Sequence, residues 1–169
     1  PANFVEANRW YRQLLGSFPD DPATPGVNYQ LADLLLENED FIDAAGEYER
    51  TAYTYDAHEK SAAAGYAAVY AFRQALGVAT GARQREVMEA TVESSLRFAD
   101  AFPEHEEAPV VLGAAADDLY EMKDFERAIA SARKLVDRYP ASDRELRRSA
   151  WAVVAHSSID IAQYQDAEF

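Results

Sequence analysis

Three histidines, His58, His105 and His156, come first as candidates for chemistry, because imidazole serves as both general base and metal ligand. None is paired with another at the one-turn spacing that a metal site on a helix uses. His105 lies in Glu104-His105-Glu106-Glu107, which has the composition of a metal cluster. Those acids also suit the first turn of a helix, where the dipole favours negative charge, and that is the expected role. Asp20-Asp21 and Asp117-Asp118 are neighbouring carboxylates. Adjacent residues on a helix do not face each other, so Asp117-Asp118 alone makes no acid–base pair. The chain has no cysteine, hence no thiolate nucleophile or ligand. It has no Gly-rich phosphate loop and no G-x-S-x-G elbow. The expectation is a chain with no catalytic, cofactor-binding or metal-binding residues, and not an enzyme.

The tyrosines could instead build a stacking surface. Tyr66 and Tyr70 lie one helical turn apart, and Tyr53 and Tyr55 end a helical segment. Packing between helices is the expected role for these, since a tyrosine buries well once its hydroxyl finds a partner.

The charge balance narrows the partners. Thirty acids against 16 bases give a net charge of −14 in 169 residues. Binding to nucleic acid or to an anionic lipid surface needs Lys and Arg facing phosphate, so both are disfavoured. No apolar run approaches the ~18 residues that cross a bilayer. This composition permits basic or apolar partners, and otherwise the acid reads as a solvated outer face that keeps the chain soluble. Seven Gly and seven Pro are too few to punctuate a β-rich chain, which leaves an all-α class.

A repeated phrase supplies the elements. An aromatic followed three residues later by Ala occurs as Phe4/Ala7, Phe41/Ala44, Phe125/Ala128 and Tyr164/Ala167, with a degenerate Met88/Thr91. The steps between the leading residues are 37, 47, 37 and 39. Fifteen residues on from Phe4, Phe41, Met88 and Phe125 comes a stop, Pro19, Asp56, Pro103 and Pro140 in turn, each preceded by an aromatic. Each aromatic opens the second helix of a pair, and the Ala one turn on lets a neighbour approach closely. Proline then ends the helix. Ala32, Ala116 and Ala155 are the small residues of the first helices, with Trp151 packing beside Ala155. Thr24-Pro25, Pro109, the box Ser142-Asp143-Arg144-Glu145 and Asp56 with Glu59 mark helix starts. This predicts helices over 3–18, 26–37, 40–55, 57–76, 83–102, 106–121, 124–138, 143–161 and from 164. Gly77 is placed at a left-handed helix end. The units read as a partial repeat 1–22, repeats 23–56, 57–103 and 104–140, and a partial repeat 141–169. The whole chain reads as one solenoid domain and a fragment of a longer protein.

These residues resemble the tetratricopeptide repeat family over essentially the whole length, most closely at Trp151, Val154, Ala155, Tyr164 and Ala167. The phrase Phe102-Pro103 … Phe125 … Ala128 … Tyr139-Pro140 is similar to a bacterial cell-envelope subset with slightly long repeats. The resemblance implies a right-handed superhelix of antiparallel helix pairs whose first helices line a concave groove that holds a peptide or a partner helix. It implies contact residues at Tyr29, Asp33, Leu36 and Glu37; at Gly65, Val69, Phe72 and Arg73; at Gly113, Asp117, Tyr120 and Glu121; and at Ala152, His156 and Ile159. One branch of the family holds a C-terminal carboxylate with Lys, Arg and Asn. Asp33, Glu37, Asp117 and Glu121 stand here instead, so a basic or amphipathic segment is the expected occupant. The remaining expectations are a regulatory or substrate-presenting arm of a larger enzyme, and a scaffold that self-associates through exposed repeat ends. A periplasmic or envelope location is implied by the narrower resemblance.

Overall fold

The computed structural model describes residues 2–167, with side chains described for 3–162. All regular structure among them is helical: α1 (Ala2–Ser17), α2 (Thr24–Glu37), α3 (Phe41–Tyr53), α4 (Ser61–Val78), α5 (Ala82–Ala101), α6 (Ala108–Glu121), α7 (Phe125–Arg138) and α8 (Arg144–Ala167). The chain groups into two compact units, Pro1–Ser94 and Ser95–Phe169. In the first, α1 packs on α2, α2 on α3 and α3 on α4. In the second, α6 packs on α7, and α8 packs on both. The architecture is all-α and repeat-like.

Two of the hairpins, α2–α3 and α6–α7, are copies of one design. Each first helix carries Pro in its first turn, where the missing N–H costs nothing. Each second helix starts at the expected aromatic, Phe41 or Phe125. The turn between them is a Schellman motif. Asp40 N–H donates to Leu35 O at 3.0 Å and Glu39 N–H to Leu36 O at 3.0 Å. In the second copy Asp124 donates to Leu119 O and Lys123 to Tyr120 O, both at 2.9 Å. Glu39 and Lys123 both sit in the left-handed region at φ 64°. A side chain there costs about 1 kcal/mol relative to glycine. We therefore expect Glu39→Gly and Lys123→Gly each to raise stability by about 0.5–1 kcal/mol in urea titrations; a loss would show that the side chain is needed at the turn.

Alanines let the helices close. Ala32, Ala44, Ala116 and Ala128 are fully buried, as are Leu31, Leu35, Leu112, Leu119 and Leu135 beside them. Each such leucine contributes about 1.5–3 kcal/mol by leaving water. The first hairpin also buries a polar group. The Asn28 amide donates to Glu47 O at 2.7 Å and to Thr51 Oγ1 at 3.0 Å, tying α2 to α3. Arg12 of α1 reaches Glu47 of α3 at 3.0 Å.

The connections into the helices share a device that the sequence did not announce. Asp21, His58, His105 and Asp143 each accept, through Oδ1 or Nδ1, a hydrogen bond from the backbone N–H two residues on, at 2.8, 3.2, 3.2 and 2.7 Å. Asp143 also accepts from Leu146 N–H at 3.2 Å, so it caps α8, while Ser142 Oγ turns back to Tyr139 O at 2.7 Å. The expected box is thus displaced by one residue. Residues 57–60 form a turn built by His58, so α4 starts at Ser61 and Asp56 does not cap it. Gly77 lies inside α4, and the left-handed glycine is Gly81 at φ 61°.

The expected break near residue 162 is absent: α8 runs through to Ala167 as one helix, with no Gly or Pro between Arg144 and Ala167 to stop it. Ala155 and Trp151 are exposed, Trp151 by 53 %, and it is Ala150, Val153, Val154 and Ser157 that α8 buries. Tyr164 and Ala167 lie outside the residues whose side chains are described. Tyr70, expected between helices, is 48 % exposed.

Candidate functional site

In the first unit α2 sets Tyr29 and Asp33 one turn apart on one face. From α3 the buried Tyr48 reaches across to them. Its hydroxyl donates to Asp33 Oδ1 at 2.5 Å, and its ring meets Tyr29 edge-on with centroids 5.3 Å apart. Burial, then the Asp33 carboxylate, push the Tyr48 phenol far above its ordinary value, and burial and Asp33 raise Tyr29. Both remain neutral donors at physiological pH. Tyr29 and Asp33 border an open recess of about 560 Å³ bounded by residues 22–30 on one side and His58, Glu59 and Lys60 on the other. The Lys60 ammonium lies over the Tyr29 ring, 4.7 Å from its centroid.

In the second unit Tyr120 leans on Phe125, centroids 5.7 Å apart, and on His156 at 6.2 Å. Its hydroxyl donates to Asp160 Oδ2 at 3.0 Å. That bond, then burial, raises the Tyr120 phenol. Tyr120, Glu121, Lys123, Phe125 and Asp160 line an open recess of about 330 Å³.

Compared with known proteins, this chain matches no protein-family model and no curated protein at a significant level.

The structure thus gathers Tyr29 with Asp33, and Tyr120 with Glu121 and His156. Glu37 and Asp117 are exposed on the first helices. Leu36 and Phe72 are partly buried against the core of the first unit, and Arg73 is half-buried. Gly65 and Val69 are buried. Gly113 is buried too: a Cβ there would stand 2.7 Å from Leu146 Cδ1 and 3.1 Å from Leu135 Cδ1. It is a close-approach residue rather than a contact residue. Ala152 and Ile159 are exposed on α8.

Tyr48, Lys60 and Asp160 were not singled out beforehand. Asp160 carried a signal, one turn beyond His156 on the same helix. Tyr48 and Lys60 carried none, since each arrives from an element distant in sequence. Among the described residues no three His, Asp or Glu side chains converge as metal ligands, and no helix is long and apolar enough to cross a membrane.

Proposed function

We propose that this chain is a tetratricopeptide-like interaction module in which the first helices of the pairs, α2 and α4 in one unit and α6 and α8 in the other, present contact surfaces to a peptide or helix of a partner. The observation that carries this is the pairing of an aromatic ring with a carboxylate at the mouth of an open recess in each unit, Tyr29 with Asp33, and Tyr120 with Asp160. Aromatic rings supply anchor area at low entropic cost, and the acids select for positive charge. A basic or amphipathic segment is therefore the occupant.

Selection of displayed random peptides on the intact chain tests it. Enriched peptides are expected to carry Lys or Arg, and Tyr120→Ala is expected to weaken them about tenfold or more, with a thermal melt close to that of the wild type. No enrichment would overturn the reading.

Exposed apolar residues at α1 and on α8 favour a second reading, a self-associating scaffold: Trp10 and Leu14 on α1 with Phe18 just past its end, and Trp151 and Ile159 on α8. The chain used as its own ligand in the same assay separates the two.

A further inference from the structure

The two units hold one position in two different states. Lys60 precedes α4, the helix that follows the first hairpin, and Leu146 lies in the first turn of α8, the helix that follows the second. Each reaches back to the same register of the hairpin's first helix: Lys60 to Tyr29, Leu146 to Gly113. Thr24 and Glu37 bound α2 as Ala108 and Glu121 bound α6, so Tyr29 and Gly113 correspond. In the second unit the position is closed by apolar contact. In the first it is an open recess carrying a ring and a carboxylate, with a cation above the ring. Packing the hairpin does not require those groups, because the second copy packs without them.

Lys60 fills this seat incompletely. Its ammonium is within cation–π range of the Tyr29 ring. No ion pair among the described residues joins it to a carboxylate, although Asp33 borders the same recess. The backbone beneath it is fixed. Lys60 N–H donates to His58 Nδ1 at 3.2 Å, and His58 Nε2 meets Thr51 O at 3.0 Å. The side chain itself is exposed, so it can leave without disturbing the turn.

We propose that the Tyr29–Asp33 recess seats a lysine or arginine side chain of a partner peptide, and that Lys60 occupies this seat until the incoming cation displaces it. This rests on the interaction-module reading and names its ligand group. An incoming cation with a free choice of position meets both the ring and Asp33, whereas Lys60 meets only the ring, and that difference drives the exchange.

The probe is Nα-acetyl-lysine methylamide, titrated into the whole chain while the Tyr29 ring resonances are followed by NMR. Lys60→Met keeps the side-chain length and removes the charge. It is expected to tighten the probe about two- to fivefold, the worth of one exposed cation–π contact. Asp33→Asn still accepts from Tyr48 and is expected to weaken it. Tyr29→Phe keeps the ring and should bind, and the norleucine analogue should not. Unchanged or weaker binding to Lys60→Met overturns the proposal, as does equal binding of the norleucine analogue. If the seat fails in this way while selected peptides still respond to Tyr120→Ala, the module reading stands alone. A lysine titration that behaves as expected with no peptide ever selected leaves the seat and removes the module.

Discussion

Tyr48→Ala is expected to lower the stability of the chain by about 3–5 kcal/mol, the range for truncating a buried aromatic. Tyr48 is 1 % exposed and lies in the same core cluster as Leu31 and Leu35. Most folded domains have only about 5–15 kcal/mol in total, so the loss takes a large share. Tyr48→Phe isolates the hydroxyl. It removes the bond to Asp33 while keeping the ring against Tyr29, and should cost about 1.5–3 kcal/mol, as bonds to charged groups do. The pH dependence has a definite sign. The unfolded phenol ionises near its ordinary 10.0, and the folded one holds its proton to higher pH because of burial and Asp33. Above pH 10 the unfolded state therefore releases a proton that the native state keeps, and stability falls as pH rises. Tyr48→Phe should lose this tyrosine's part of the alkaline decline. Chemical denaturation of wild type and both variants between pH 7 and 11 checks all three; a Tyr48→Phe variant as stable as wild type would remove the bond to Asp33 from the energetics.

Gly113→Val is the second large effect, and its sign is informative. A residue facing an open groove in mid-helix should gain slightly on replacing glycine, because glycine is the poorest helix former after proline. Gly113 instead touches Leu146 of α8 and the fully buried Leu135 of α7. Valine adds two methyl groups beyond a Cβ that already stands 2.7 Å from Leu146 Cδ1. Overpacking of this kind costs about 1–3 kcal/mol. Leu146→Ala opens room in the same place, so the double variant should recover part of the loss, with a coupling energy of about 1 kcal/mol or more. A stabilised Gly113→Val would instead place the residue on an open surface.

The hairpins were legible because their signals are local. Phe41 and Phe125 open helices, Pro25 and Pro109 stand in first turns, and Ala32 and Ala116 lie at contacts, all within a few residues of the features that mark them. The periodicity could not say what covers each face. Gly113 read as a contact residue because its register matched the groove, while the leucine that approaches it lies on another helix. Ala155 carries the same phrase as Ala116 yet is exposed, since sequence similarity fixes a helix's pattern and not its neighbours. Of the candidate site, Tyr29 and Asp33 on α2 and Tyr120 on α6 stood among the expected groove residues. Tyr48 and Lys60 did not, because the turn that aims Lys60 is organised by His58 and Thr51. The choice of Gly77 over Gly81 failed because both can adopt left-handed geometry, and α4 runs on through Gly77 to Val78, so the turn falls at Gly81.

Proteins made of similar repeats are prone to pairing the wrong copies during folding. With Phe41/Ala44 so like Phe125/Ala128, helix α2 could be captured by α7 in place of α3. Asn28 stands against that error. Opposite α3 its amide finds Thr51 and the Glu47 carbonyl. At the position of α7 that corresponds to Thr51 stands Leu135, and at the position of α6 that corresponds to Asn28 stands Leu112. A swapped hairpin would keep a backbone carbonyl near the Asn28 amide but set Leu135 where the Thr51 hydroxyl accepts, at a cost of about 0.5–1.5 kcal/mol. One buried side chain thus gives each half of the chain a way to recognise its own partner while it folds.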